Sequence, residues 1–134
     1  MAIEWNDELS VKVESLDAEH KTLIETINTL GSAMKARKSN QVIGEVIEKL
    51  IGYAGTHFAH EEDLFDKYSF PASINHKREH NDFVRKVTAF KKDFDSGKLM
   101  LSIEILEFLT AWLKNHIQKE DKGYSELFIK NNVK

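Results

Sequence analysis

Cysteine is absent from this chain. Its absence removes disulfides, thiolate nucleophiles, zinc-finger ligands and iron–sulfur clusters together. No apolar run reaches the roughly 20 residues that a membrane-spanning helix needs, so no membrane insertion is expected. Excess positive charge is also missing. The 19 Lys and Arg against 22 Asp and Glu leave a net charge of -3, which gives no basic footprint for nucleic acid. The opening residues Met-Ala-Ile-Glu-Trp-Asn-Asp-Glu carry early acids and no apolar run, unlike a secretory signal, so a cytoplasmic location is expected. Proline occurs once and glycine six times, which favours long uninterrupted helices. The remaining composition, 41% hydrophobic and 31% charged over 134 residues, fits one globular domain with enough mass for a core.

Apolar residues recur with helical period in four segments, and the expected fold is all-α. The first runs from about Asp17 to Arg37, with Leu16, His20, Leu23, Ile27, Leu30 and Met34 on one face. The second starts at Ser39 or Asn40, either of which is a good N-cap, and runs to about Phe65. Its stripe is Ile43, Val46, Leu50, Tyr53, His57, Glu61 and Leu64. The third follows Phe70-Pro71, begins at Pro71 or Ser73, carries His76, His80, Phe83, Val87, Phe90 and Phe94, and stops at Ser96-Gly97. The fourth begins after Ser102, carries Leu106, Leu109, Leu113 and His116, and loosens near Gly123. Short links make neighbours antiparallel, so an up-down four-helix bundle is expected. One domain spans 1–134, with residues 1–16 as an N-terminal arm, 17–134 as the bundle with a short C-terminal tail, and Trp5 tucked onto the bundle. Gly52 and Gly55, inside the second helix, each cost about 1 kcal/mol relative to alanine, and the sequence alone does not show whether close helix approach offsets it.

Five of the six histidines sit in slots where Leu or Phe would be expected. These are His20, His57, His76, His80 and His116. A buried imidazole is costly unless its nitrogens are occupied. His57 and Glu61 are four residues apart, as are His76 and His80. Four helical residues advance roughly 6 Å and about 40° around the axis, so each pair faces one way. With His20 and His116 from the other two helices, the pairs converge inside a bundle, where metal sites are built from facing side chains. Imidazole with carboxylate suits iron, zinc or copper, and the lack of thiolate disfavours soft metals. A single histidine in an apolar stripe is more often a satisfied core residue than a ligand. The weight lies in five rings sharing inward register on four helices. His60, three residues from His57, lies off the centre of that face and reads as a half-exposed residue or a support for a ligand.

The stretches Leu16-Asp17-Ala18-Glu19-His20-Lys21, His57-Phe58-Ala59-His60-Glu61-Glu62, His76-Lys77-Arg78-Glu79-His80 and His116-Ile117-Gln118-Lys119-Glu120-Asp121 resemble the hemerythrin family, in its single-domain bacterial form. The resemblance covers essentially the whole chain. It implies a four-helix bundle around two non-haem iron ions, cycling between Fe2+ and Fe3+ and joined by an oxo or hydroxo bridge. By position, His76, His80 and His116 hold one iron, His20 and His57 hold the other, and Glu61 and Asp121 bridge the two. Asp121 comes from the resemblance alone. Five residues from His116 is about 140° around an ideal helix, the wrong face, so a local distortion or helix end near Gly123 must swing it inward.

The resemblance further implies reversible dioxygen binding at the iron with fewer imidazoles, in a pocket walled by Phe58, Trp112, Leu113 and Ile117. The expected role is oxygen transport, storage or delivery rather than enzymatic turnover. The alternatives are an oxygen or redox sensing module and a di-iron enzyme that detoxifies nitric oxide or peroxide. Dioxygen is the expected partner.

Overall fold

The computed structural model describes residues 3–97 and 103–134. Four helices carry the bundle: α1 (Glu14–Lys35), α2 (Asn40–Tyr68), α3 (Ser73–Asp95) and α4 (Ile103–Asn115). A short α5 (Ser125–Lys130) follows a π segment (His116–Glu120) and a 3-10 turn (Asp121–Tyr124). Ser102, expected to precede the fourth helix, lies outside the described residues. Among the described residues there is no strand, and no helix is long and apolar enough to cross a membrane.

Helix boundaries follow local chemistry. Ser39 caps α2 by accepting a hydrogen bond from the Val42 N–H, so the helix begins at Asn40, as the sequence suggests. It ends three residues later than expected, at Tyr68, where Ser69 turns into the left-handed region. Gly97 supplies the positive φ that closes α3 after Asp95. α1 starts earlier than the hydrophobic stripe suggests, at Glu14. Asp17 does not cap the helix but reaches back to accept hydrogen bonds from the Ser10 hydroxyl (2.6 Å) and the Val11 N–H (2.8 Å). Asn28 holds the arm further out by pairing with both backbone groups of Ile3. Trp5 packs partly buried against the core with the Lys21 ammonium 4.9 Å above its ring.

Two apolar clusters are packed inside. The larger joins Leu23, Ile27 and Leu30 of α1, Ile47, Leu50 and Phe58 of α2, Phe83 and Val87 of α3, and Leu106, Leu109 and Leu113 of α4. The smaller joins Val11, Val13, Leu16, Phe65, Tyr124 and Phe128. Along α1 the chain passes from the smaller cluster at Leu16 through His20 to the larger at Leu23. Along α2 it returns from Phe58 through Glu61 to Phe65. α3 runs from His76 to Phe83, and the last segment runs back from Leu113 through His116 to Tyr124. This alternation is the up-down topology of the four-helix bundle, and it leaves a polar layer of histidines between two dry clusters.

The α2 stripe needs correction. Tyr53 is 44% exposed, and Ala54 takes the inward position. The buried series Ile43, Ile47, Leu50, Ala54, His57, Glu61 and Phe65 advances in steps of three or four, as a helix packed on one side requires. Val46 and Leu64 flank it half-buried, as Met34 and Phe90 do on α1 and α3. Gly52 and Gly55 do not mark close approach either, since nothing lies within 4 Å of a Cβ built on either. The close approach is at Gly31, where a Cβ would meet Leu106 Cδ2 at 3.1 Å.

Gly52 and Gly55 therefore weaken an exposed helical surface without a packing return. Replacing each with alanine is expected to raise stability by about 0.5–1 kcal/mol, read as a higher urea midpoint. Gly31→Ala should gain less or lose stability. An unchanged midpoint for the double variant Gly52→Ala/Gly55→Ala would contradict this.

Candidate metal centre

All seven residues expected at the centre converge. His20 comes from α1, His57 and Glu61 from α2, His76 and His80 from α3, and His116 and Asp121 from the end of the fourth segment. Each is buried. Their donor atoms form two sets that share both carboxylates. One set is Glu61, His76, His80, His116 and Asp121; the other is His20, His57, Glu61 and Asp121. Glu61 Oε1 lies 3.2 Å from Nε2 of both His57 and His80. Asp121 Oδ1 lies 2.7 Å from His76 Nε2 and 3.0 Å from His116 Nε2, and its Oδ2 lies 2.9 Å from His20 Nε2.

Asp121 arrives by a change of helical pitch. From His116 to Glu120 the backbone is π-helical, and the Asp121 N–H bonds to the carbonyl of His116, five residues back. In a π turn, residues five apart stack on one face. That turn removes the offset of about 140° that an ideal α-helix would impose. The expected distortion is therefore real, but it lies upstream of Gly123. The 3-10 turn that follows buries Tyr124, whose hydroxyl donates to Glu61 Oε2 at 2.5 Å.

The outer nitrogens show a regular pattern that sequence reasoning missed. Glu19 of α1 accepts from His57 Nδ1 on α2 at 2.6 Å. Glu62 of α2 accepts from His80 Nδ1 on α3 at 2.9 Å. Glu79 of α3 lies 3.5 Å from His116 Nδ1 on the next segment. Each helix thus offers a carboxylate to the imidazole of the helix after it. At His57 and His80, with Nδ1–H donating outward, Nε2 presents its lone pair to the centre, the arrangement that orients histidine ligands and raises their basicity. The signal was present: each acid is adjacent in sequence to an inward-facing residue, His20, Glu61 or His80. A neighbour is turned about 100° around the helix, toward the adjoining helix. Aromatic rings brace the imidazoles from behind. Phe58 stacks on His80 at 3.9 Å between centroids, and Trp112 stacks on His116 at 4.5 Å.

The donor set fits a metal. Nε2 of His20, His57 and His76, Oε1 of Glu61 and both oxygens of Asp121 are buried with no hydrogen-bond partner, yet they face one another. The Nε2 atoms of His80 and His116 approach to 3.2 Å, although at most one neutral ring could donate there. Cations aimed at by every donor would resolve all of these contacts at once. Without metal, protons must do that work. Burial opposes a charged His57, but Glu61, Glu19 and Asp121 outweigh it and push its pKa up to about 10. Burial likewise opposes charge on His20 and His116, and the carboxylates raise both. Burial would raise Glu61, but His57, His20 and His80 hold it well below the usual carboxylate range. Asp121 is lowered too, as His116 and His20 overcome burial and the repulsion of Glu61.

Fold and site together define a four-helix bundle whose buried layer is a paired histidine–carboxylate cluster able to bind metal. The model of the hemerythrin HHE cation binding domain matches residues 11–128. Bacteriohemerythrin of Pseudomonas paraeruginosa is 37% identical over 120 residues, covering 90% of this chain and 77% of that protein. That of Clostridium acetobutylicum is 32% identical over 127 residues, covering 90% and 96%. A crystal structure of wild-type hemerythrin superposes with a TM-score of 0.89 at 30% identity, covering 95% of this chain and 98% of that one. The chain belongs to the hemerythrin family.

The cluster makes chelated and metal-loaded protein respond oppositely to pH. In chelated protein, His57 keeps its proton to about 10 against an ordinary value of 6.5, so the folded state holds more protons across that window. Stability is then complete below about pH 6.5 and is lost as pH rises toward 10. The lowered carboxylates contribute stability above their ordinary range near 4.5, lost again in acid. Metal reverses the alkaline limb, because protons compete with it for Nε2. Thermal melts at about pH 6 and about pH 8 should show the chelated form falling while the loaded form holds or rises. Parallel shifts of the two forms would contradict the cluster's role.

Proposed function

We propose that this chain binds dioxygen reversibly at a di-iron centre and serves oxygen transport, storage or delivery in the cytoplasm. Glu61 and Asp121 would be shared between the two irons, with His76, His80 and His116 holding one and His20 and His57 the other. The carrying observation is the unequal division of imidazoles, three in one donor set and two in the other, around the same pair of carboxylates. With fewer imidazoles, the His20 and His57 side would be the one left with room for dioxygen, and the irons, when bound, would supply the electrons for its binding. The chain's part is to hold the geometry and keep the site dry. Hemerythrins are in general oxygen-binding proteins rather than enzymes. Five imidazoles against two carboxylates favour the ferrous state and reversible binding over substrate oxidation.

Phe58, Trp112, Leu113 and Ile117 are assigned to the dioxygen pocket. Phe58, Leu113 and Ile117 are buried, and Trp112 is half-buried between Phe83 and His116. An apolar wall of this kind excludes water and anions that would drive the centre to the ferric state.

Optical spectra of the ferrous protein, recorded before air, after air and after deoxygenation with iron quantified, test the reading. Two irons per chain and a spectrum that returns on deoxygenation are expected. Irreversible oxidation, or sustained turnover of peroxide or nitric oxide, would instead support an enzyme. Leu113→Ala should cost about 2–5 kcal/mol of stability, retain both irons, and convert faster to the ferric form. An unchanged conversion rate in a fully loaded variant would make Leu113 core packing alone.

A further inference from the structure

His60 is the one histidine that the two donor sets leave out. It lies on α2 three residues after His57, with its side chain 35% exposed. Its Nδ1 is 2.8 Å from Glu19 Oε2, while Glu19 Oε1 takes the hydrogen bond from His57 Nδ1 at 2.6 Å. One carboxylate of α1 is thus held in two hands by α2. Glu62 and Glu79, the corresponding carboxylates behind His80 and His116, each meet a single imidazole. Glu19 is itself 32% exposed, so water competes for its oxygens and its terminal torsion would otherwise turn freely. A second donor on Oε2 fixes the carboxylate plane and leaves Oε1 aimed at His57.

The two-histidine half of the centre has most need of such a hold. His20 Nδ1 is buried with no hydrogen-bond partner, so His57 is the only imidazole of that set whose outer nitrogen is tied to a carboxylate. We propose that His60 is a positioning residue for the two-histidine metal site: by bonding Glu19 Oε2 it locks Glu19 onto His57 and sets that ring's direction and donor strength. The inference rests on the assignment of His20, His57, Glu61 and Asp121 as one metal's ligands. His60 touches no metal and is dispensable for occupancy; what it sets is how tightly the second metal is held.

Anaerobic cobalt(II) titration of chelated protein, followed by its visible spectrum, tests this. Wild-type protein should take up two ions, and His57→Ala should delete one step. His60→Ala should still take up two ions, but weaken only the step that His57→Ala deletes, by about tenfold to a hundredfold. His60→Asn, whose amide N–H lies near the place of Nδ1–H, should recover most of that loss. In a Glu19→Ala background, His60→Ala should add nothing, because it acts through Glu19. The inference is overturned if His60→Ala binds like wild type, if both steps weaken equally, if His60→Asn does not recover, or if the two losses add. If wild-type protein binds only one ion, the two-metal reading itself fails and takes this inference with it.

Discussion

Glu61 and Asp121 are both fully buried, and the rest of the molecule is arranged around that fact. Two carboxylates a few ångströms from one another, away from water, are strongly unfavourable unless positive charge lies between or beside them. Tyr124 donates one hydrogen bond to Glu61. Among the described residues, the other close polar partners of the two carboxylates are imidazole nitrogens. Imidazoles meet that demand either by protonation or by sharing a cation with the acids. The first answer ties the fold to neutral and mildly acid pH; the second ties it to metal. A bundle with two dry clusters and this charged layer between them is expected to couple folding to loading, since only protons or metal offset the buried carboxylates.

The layer is held from outside as well as from within. Glu19, Glu62 and Glu79 turn the Nδ1 sides of His57, His80 and His116 outward, each across a helix–helix boundary. Phe58 and Trp112 press on the rings of His80 and His116. The imidazoles therefore have few alternative orientations to lose on binding metal, which is what a preorganised site requires. The π segment departs from regular helix where Asp121 must share a face with His116. A wider turn forgoes good α-helical hydrogen bonding, and such segments are found mostly at functional sites.

Much of this was legible in the residues. The inward register of His20, His57, His76, His80 and His116 follows from counting along apolar stripes, because helical period is a local property. Tyr53 shows the limit of counting: positions 53 and 54 both extend the α2 stripe, and only the packed neighbours choose Ala54. Asp121 was invisible to periodicity because its place depends on a break in that period, and it entered through resemblance. Glu19, Glu62 and Glu79 each sit beside an inward-facing residue, but their partners lie on other helices, so spacing within one helix hints at their direction and does not name the imidazole they meet. Asp17 makes a contact that periodicity does not show: its carboxylate binds the arm at Ser10 and Val11, outside the helix.

The central claim is that two carboxylates are shared between two metals of unequal imidazole count. A crystal structure of the iron-loaded protein tests it most directly. The account predicts two irons, one on His76, His80 and His116, the other on His20 and His57, with Glu61 and Asp121 each touching both. A single iron, or two irons of which either carboxylate touches only one, would contradict it.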